Sequence, residues 1–142
     1  MSTASALASL LQHKSDLNYY TQQQIWYANK QEASSAKVAK YARYEEQWEK
    51  AYDDCMSAEE GKEKKINGRV FNAGSEADAE AYANAKVQQR DEELYLELVD
   101  EDMEYDSMKE MYNTLCEELR AEIDSEKQLT STNAQDTHLL GS

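Results

Sequence analysis

The sequence predicts an all-α fold, a long antiparallel helical hairpin of coiled-coil type with a short, basic, glycine-containing tip. Proline is absent and glycine occurs only four times in 142 residues, so long stretches contain no residue that ends a helix. Apolar and aromatic residues recur at spacings of three and four along two segments, which is the pattern of an amphipathic helix. Three of the four glycines, Gly61, Gly68 and Gly74, lie between these segments, where the chain is expected to turn back.

The first helix is predicted over about residues 4–60. Its central part carries a heptad pattern in which polar residues interrupt an apolar and aromatic stripe. The apolar and aromatic members are Leu17, Tyr20, Tyr27, Val38, Tyr41, Trp48, Tyr52 and Cys55, and the polar members are Gln24, Gln31, Ser34 and Glu45. Leu7, Leu10 and Leu11 continue the stripe towards the N-terminus and place the helix start near residue 4.

Residues 61–74 are predicted to be the tip of the hairpin. The tip contains four bases and one acid, Glu63, which gives it a net charge of +3. Its bases are Lys62, Lys64, Lys65 and Arg69. Within the tip, residues 66–71 are expected to form a small β-turn element.

The second helix is predicted over about residues 75–129. Ser75 is a suitable N-cap, and the acidic residues that follow it suit the positive end of the helix dipole. The apolar stripe of this helix consists of Val87, Leu94, Leu98, Tyr105, Met108, Tyr112, Leu115 and Leu119. Residues 131–142 are mostly polar and are predicted to be a mobile tail of a single helical domain, residues 1–142.

Charge provides a separate indication of how the two helices pair. Residues 91–106 contain nine acids and no base, whereas residues 29–44 contain four bases and one acid. A turn centred near residues 67–68 places these two blocks opposite each other, because the numbers of facing residues then add up to about 135. The same register places Leu98 opposite Val38, so the apolar and charge patterns agree.

No residue pattern predicts catalysis or a cofactor. The acidic run at residues 100–106 lacks the glycine and glutamate of an EF-hand, because Tyr105 and Met111 stand at those positions. Neither His13 nor His138 lies in the Glu-x-x-His pair of a di-iron bundle or has the partners of a zinc site or hydrolytic triad. Cys55 and Cys116 are far apart in the predicted hairpin, so both are interpreted as packing residues. We therefore expect a chain without enzymatic activity, metal or cofactor.

Several apolar side chains do not fit the stripes and predict an interface. Tyr19 and Trp26 project away from the stripe of the first helix, and Leu96, Val99 and Met103 form a separate set on the second. A two-helix hairpin buries one seam, so these side chains are expected to be exposed in a monomer and covered by another subunit. The alternative is cover by a third element of the same chain. The four bases of the tip are predicted to contact an acidic helix face of a neighbouring copy.

The overall charge restricts the classes of partner. A formal net charge of −14 disfavours nucleic acid and anionic lipid surfaces. No apolar run is long enough for a membrane span, so none is expected, and the N-terminal residues do not predict an ordinary signal peptide. The expected location is therefore cytoplasmic, associated with a virion, or outside the cell by a non-classical export route. The partner is expected to be another copy of the chain or another protein.

In length, absence of proline and pairing of its terminal regions, the chain resembles the helical-hairpin filament subunits of bacterial export systems. This resemblance is architectural, and it implies a non-enzymatic structural subunit that assembles through its long helices, as in a filament, needle or virion. The alternative is a small acidic adaptor or secretion-type chaperone that binds a basic or aggregation-prone partner. The two differ in stoichiometry, because the adaptor is expected to remain a small oligomer.

Overall fold

The computed structural model of the chain describes the backbone of residues 3–59 and 61–141, and the side chains of residues 4–59, 61–129 and 131–132. In order, the elements are helix α1 (Thr3–Met56), strands β1 (Lys64–Ile66) and β2 (Arg69–Phe71), helix α2 (Glu76–Lys86) and helix α3 (Glu92–Gly141). The long helices α1 and α3 pack against each other, and the two strands pair in an antiparallel hairpin at the turn. The predicted fold class, an all-α helical hairpin, is confirmed.

Helix α1 ends at Met56, short of the predicted end near residue 60, and neighbouring groups bind two of its last carbonyl oxygens. The backbone N–H of Gly74 donates to the carbonyl of Cys55 at 3.2 Å. The hydroxyl of Ser57 donates to the carbonyl of Asp53 at 2.7 Å. Glu60 lies outside the described residues.

The strands β1 and β2 are joined by a two-residue turn. Its residues, Asn67 and Gly68, both have positive φ values, 51° and 82°. Positive φ at both central positions characterises the type I′ turn, which matches the twist of the flanking strands and favours the Asn-Gly sequence. Lys64 lies opposite Phe71 in the resulting register. The small β-turn element predicted for residues 66–71 is therefore confirmed, and its first strand begins at Lys64.

The single helix predicted over residues 75–129 is wrong, because the structure contains two helices there. α2 ends at Lys86, and Val87 leaves the helical conformation with φ −122° and ψ 73°. α3 begins at Glu92, directly after Asp91. The carboxylate of Asp91 accepts a hydrogen bond from the backbone N–H of Leu94 at 3.0 Å, which is the geometry of an N-cap.

Arg90 holds the segment between α2 and α3 against α1. Its Nε donates to both carboxylate oxygens of Glu45, at 3.0 and 3.1 Å, and its Cζ lies 4.1 Å from the ring centroid of Trp48. Its Nη2 donates to Glu92 at 3.2 Å. The indole Nε1 of Trp48 donates to Asn84 in α2 at 2.8 Å. Since residues 87–91 contain neither glycine nor proline, these contacts, and not a helix-breaking residue, fix the break.

Helix α3 is longer than predicted. It continues to Gly141, beyond the predicted end near residue 129. Residues 130–140 contain no glycine or proline, so no helix-ending residue precedes Gly141. Ser142 lies outside the described residues, and the mobility of residues 131–142 stays a prediction. At the start of α2, the N-cap predicted at Ser75 is confirmed, because its side chain accepts a hydrogen bond from the backbone N–H of Asp78.

The chain divides into two compact units, which we call the tip unit, residues 33–102, and the terminal unit, residues 1–32 and 103–142. The core of the tip unit forms where α1, α2 and the strands meet. Phe71 is 1% exposed and packs edge-to-face on Tyr82, with ring centroids 5.5 Å apart. The other buried residues of this core are Ala51, Cys55, Ala79 and Ala83.

The terminal unit has a thinner apolar core. Among the described residues of this unit, the buried apolar ones are Ala6, Leu10, Cys116 and Ile123. Between them, polar groups pair across the helices: Gln24 donates to Asn113 at 3.0 Å, and Gln31 donates to Asp106 at 2.9 Å.

These polar pairs test the predicted register. The numbers of Gln24 and Asn113 add up to 137, as do those of Gln31 and Asp106. In the tip unit, the numbers of Ser34 and Asp102 add up to 136. The register expected from the turn, about 135, is therefore confirmed to within two residues.

Candidate interaction surfaces

An aromatic cluster in the terminal unit links the surface of α1 to its packing seam with α3. Trp26 packs edge-to-face on Tyr27, with ring centroids 4.8 Å apart. Tyr27 stacks on Tyr112 at 5.7 Å, and Tyr112 lies 5.8 Å from Tyr20. Tyr20 contacts Tyr19 edge-to-face at 5.6 Å. The five rings are therefore in continuous contact, and we call them the aromatic cluster.

The centre of the aromatic cluster disfavours charge. Burial raises the pKa of the Tyr112 hydroxyl, and Tyr19, Tyr27 and Tyr20 raise it further. The neutral phenol is therefore the form that the folded terminal unit favours. Since the edge-to-face and stacked contacts fix the rings relative to one another, the outer members of the cluster, Tyr19 and Trp26, are held in defined orientations.

The exposed apolar surface is concentrated in the terminal unit. Of the ten large apolar side chains that are exposed in the described part of the chain, eight belong to this unit. Five of the eight lie on α1 and are 44–66% exposed. We call them the α1 stripe: Leu7, Leu11, Tyr19, Ile25 and Trp26. Because the heptad positions of α1 that face α3 are occupied by other residues, the α1 stripe lies on the outer side of the helix.

The residues predicted to form an interface are mostly exposed. Tyr19 is 54% exposed, Trp26 48%, Leu96 54% and Met103 64%, whereas Val99 is half-buried. The expected exposure is therefore confirmed for the first four and wrong for Val99. Their role as an interface stays a prediction.

The sequence interpretation missed part of the α1 stripe. It placed Leu7, Leu10 and Leu11 on one inward face, but only Leu10 is buried. Ile25 was not predicted to be exposed. A strict heptad assignment carried through the whole of α1 would have found it. Ile25 follows Leu11 by two heptads, or 14 residues, so both lie on the same outer side of the helix.

The four bases of the tip differ in their surroundings. Lys62 is exposed and forms an ion pair with Glu59 at 3.4 Å. Lys64 is half-buried, Lys65 is exposed, and the Cζ of Arg69 lies 4.7 Å from the ring centroid of Phe71. Three of the four tip bases, Lys62, Lys65 and Arg69, are therefore exposed, and the docking of the tip on a neighbouring copy stays a prediction.

Among the described residues, the charge match between residues 29–44 and residues 91–106 does not take the form of ion pairs. Asp102 accepts hydrogen bonds from the hydroxyls of Ser34 and Ser35, at 2.6 and 2.7 Å. Asp106 accepts from Gln31 and lies 3.4 Å from Lys109 of its own helix. Within the described residues, no ion pair joins the four bases of residues 29–44 to the acids of residues 91–106. All four of these bases, Lys30, Lys37, Lys40 and Arg43, are exposed.

The one described histidine takes part in a cross-helix contact. His13 lies on α1 with its Nδ1 2.7 Å from Glu126 and its Nε2 3.4 Å from Glu122. The hydroxyl of Ser9 donates to Glu126 at 2.9 Å. No group of three or more His, Cys, Asp or Glu side chains suited to a metal ion occurs in the described part of the chain. The side chain of His138 lies outside that part.

Both cysteines are buried and free. Burial raises the pKa of the Cys55 thiol; the nearby carboxylate of Asp78 raises it further, and Lys64 opposes the shift. A buried, neutral thiol is a poor nucleophile, because the thiolate is the reactive form. Cys116 lies 3.7 Å from the hydroxyl of Thr21. Both side chains are packed inside the fold, which agrees with their interpretation as packing residues.

Among the described residues, no helix has the length and apolar character needed to cross a bilayer.

Comparison of the chain with protein-family models, curated protein sequences and solved structures gives no significant match. The α1 stripe and the charged helix faces are therefore the features from which a function is inferred.

Proposed function

We propose that this chain is a non-enzymatic structural subunit that self-associates, with the α1 stripe of one copy packed against the α1 stripe of another. One observation carries the proposal: Tyr19 and Trp26 are exposed and yet held in place by the aromatic cluster. Exposed side chains that are already ordered lose less conformational entropy on binding. Tryptophan and tyrosine are also the residues that contribute most often to binding energy at interfaces.

Charge favours a second copy of the chain as the partner. The chain carries a net charge of −14, so two copies repel each other over most of their surfaces. Residues 1–32 are an exception, because Lys14 and Lys30 balance Asp16 and Glu32. Contact through this neutral part of α1 buries apolar surface without bringing the acidic helix α3 of each copy together. A contact of one surface with itself is isologous and produces a dimer.

The proposal is tested by measuring mass against concentration with sedimentation equilibrium. The parent chain is expected to form a dimer, and Trp26→Glu is expected to weaken it. The loss of a tryptophan hot spot typically costs about 2 kcal/mol or more, so the dimer dissociation constant should rise at least about thirtyfold. Ile25→Glu should act in the same direction.

Ser107→Glu is the matched control. Ser107 is exposed on α3 of the same unit, so the substitution adds the same charge away from the α1 stripe. It should leave the dissociation constant within about twofold, because rim or distant charges have small effects. Far-UV circular dichroism confirms that each variant keeps its helical content. A parent chain that is monomeric at all soluble concentrations, or a Trp26→Glu variant that dimerises like the control, contradicts the proposal.

A further inference from the structure

Two exposed helix faces of opposite charge lie in the tip unit. On α1, Lys37, Lys40 and Arg43 follow one another at spacings of three residues, and residues 33–44 contain no acid. We call these three residues the basic face. On α3, three acids recur at spacings of four and three residues, and we call them the acidic face: Glu93, Glu97 and Asp100.

All six side chains are exposed, and none of them forms an ion pair or hydrogen bond with the described residues. This contrasts with the charged groups at the seam of the same unit. Arg90 binds Glu45 through two hydrogen bonds, and Asp102 accepts hydrogen bonds from two serine hydroxyls. The fold therefore pairs its inner charged groups and leaves two outer faces of opposite sign available.

A groove also adjoins the basic face. Lys40 and Arg43, with Tyr44 and Gln47, line a shallow groove of about 300 Å³. Tyr44 is half-buried and packs edge-to-face on Tyr41, with centroids 5.6 Å apart, which fixes one wall of the groove. The groove therefore offers two cationic donors beside an ordered aromatic ring.

We propose that the basic face of one copy docks on the acidic face of a second copy. The proposal rests on the self-association proposed above and adds a second, different contact. At about 1.5 Å per residue, three bases spaced over six residues extend about 9 Å, and three acids spaced over seven residues extend about 10 Å. The two faces therefore have equal charge number and nearly equal length.

The contact joins two different surfaces, so it is heterologous; unless the copies close into a ring, it leaves one basic and one acidic face free at the ends of the assembly. The contact through the α1 stripe is isologous and ends at two copies. Together the two contacts produce an assembly larger than a dimer. A nucleic acid is a less suitable occupant of the basic face, because the rest of the chain repels a polyanion.

Salt concentration distinguishes the two contacts, because salt weakens the contact between charged faces and not the apolar contact through the α1 stripe. Weight-average mass is measured for the full chain at about 0.01 M salt, where charges interact over about 30 Å, and at about 1 M salt, where they interact over about 3 Å. The parent chain should exceed twice its mass of 16.3 kDa at low salt and return to the dimer at high salt. A dimer at both salts overturns the second contact and leaves the proposed function intact; a monomer at both overturns both.

Charge reversal identifies the surfaces. The triple variant Lys37→Glu, Lys40→Glu, Arg43→Glu should remain a dimer at low salt. The triple variant Glu93→Lys, Glu97→Lys, Asp100→Lys should do the same, although its net charge of −8 (−14 plus 6) reduces general repulsion. A chain with all six substitutions restores complementary faces and the original net charge, so it should again assemble beyond the dimer.

Two results overturn this assignment. One is parent-like assembly of either triple variant, and the other is failure of the sixfold variant to assemble although it is helical and dimeric. A labelled single-stranded oligonucleotide provides a further arm. The oligonucleotide is mixed at moderate salt with the parent and with the Lys37→Glu, Lys40→Glu, Arg43→Glu variant. If it binds the parent but not the variant, the basic face is a nucleic-acid site and the second-copy proposal is overturned.

Discussion

Replacing Arg90 by alanine is expected to destabilise the tip unit strongly, because this side chain joins the break between α2 and α3 to α1. The variant loses the hydrogen bonds to Glu45 and the contact with Trp48. Hydrogen bonds to a charged group contribute about 1.5–3 kcal/mol, and a partly desolvated cation–π contact contributes about 0.5–2 kcal/mol. Both side chains of the ion pair are 18% exposed, so solvent screening is limited. The free energy of unfolding should therefore fall by about 2–5 kcal/mol.

The assay is urea unfolding followed by far-UV circular dichroism. Arg120→Ala is the control, because Arg120 is exposed and has no partner among the described residues; its loss should stay within about 0.5 kcal/mol. Glu45→Ala should cost about as much as Arg90→Ala, and the double variant should cost less than the sum of the two, since they share one interaction. If Arg90→Ala loses no more than Arg120→Ala, the contacts of Arg90 do not hold the break.

Three further predictions concern the cores of the two units. Phe71→Ala should lower the free energy of unfolding by about 3–5 kcal/mol in urea titrations, because it empties a fully buried site; a loss similar to that of the exposed Val70→Ala would contradict this core. The pKa of Tyr112 is raised in the folded state. The stability that this hydroxyl contributes is therefore complete below about pH 10 and is lost as the pH rises through the folded-state pKa. In urea titrations across this range, the free energy of unfolding should fall less with rising pH in Tyr112→Phe than in the parent, and an equal fall in both would refute a raised pKa at Tyr112. In a Cys116→Ala variant, a thiol reagent should modify Cys55 only as urea unfolds the chain; rapid modification of the folded chain would show that Cys55 is accessible.

The hairpin and its register follow from the sequence because both depend on periodic features. The heptad pattern of α1 is sufficient to place Gln24, Gln31 and Ser34 on the side that faces α3. In the structure, each of these side chains forms a hydrogen bond with a side chain of α3. The exposure of Tyr19 and Trp26 follows from the same periodicity. Periodicity is a local property of a helix, so it is readable without knowledge of the partner.

The break between α2 and α3 was not predicted because its cause is not local. Arg90 contacts Glu45 and Trp48, which are more than forty residues away in the sequence. The local signal was Asp91 followed by two glutamates, which is an acidic helix start. It was obscured because residues 91–106 are acidic throughout. Similarly, charge counts indicated which segments of the two helices face each other. They did not indicate that the acids at the seam, Asp102 and Asp106, accept hydrogen bonds from serine and glutamine side chains of α1 and form no ion pair with the described lysines of that helix.

The polar seam between α1 and α3 has a consequence during synthesis on the ribosome. α1 is complete before the 50 residues of α3 are made, a delay of about 3–10 seconds at about 5–20 residues per second. During that time the face of α1 that later contacts α3 is uncovered. Because Gln24, Gln31, Ser34 and Glu45 interrupt it, this face is less apolar than a leucine seam. Unfinished chains on neighbouring ribosomes therefore have little tendency to join through it, and each α1 is left to pair with the α3 of its own chain.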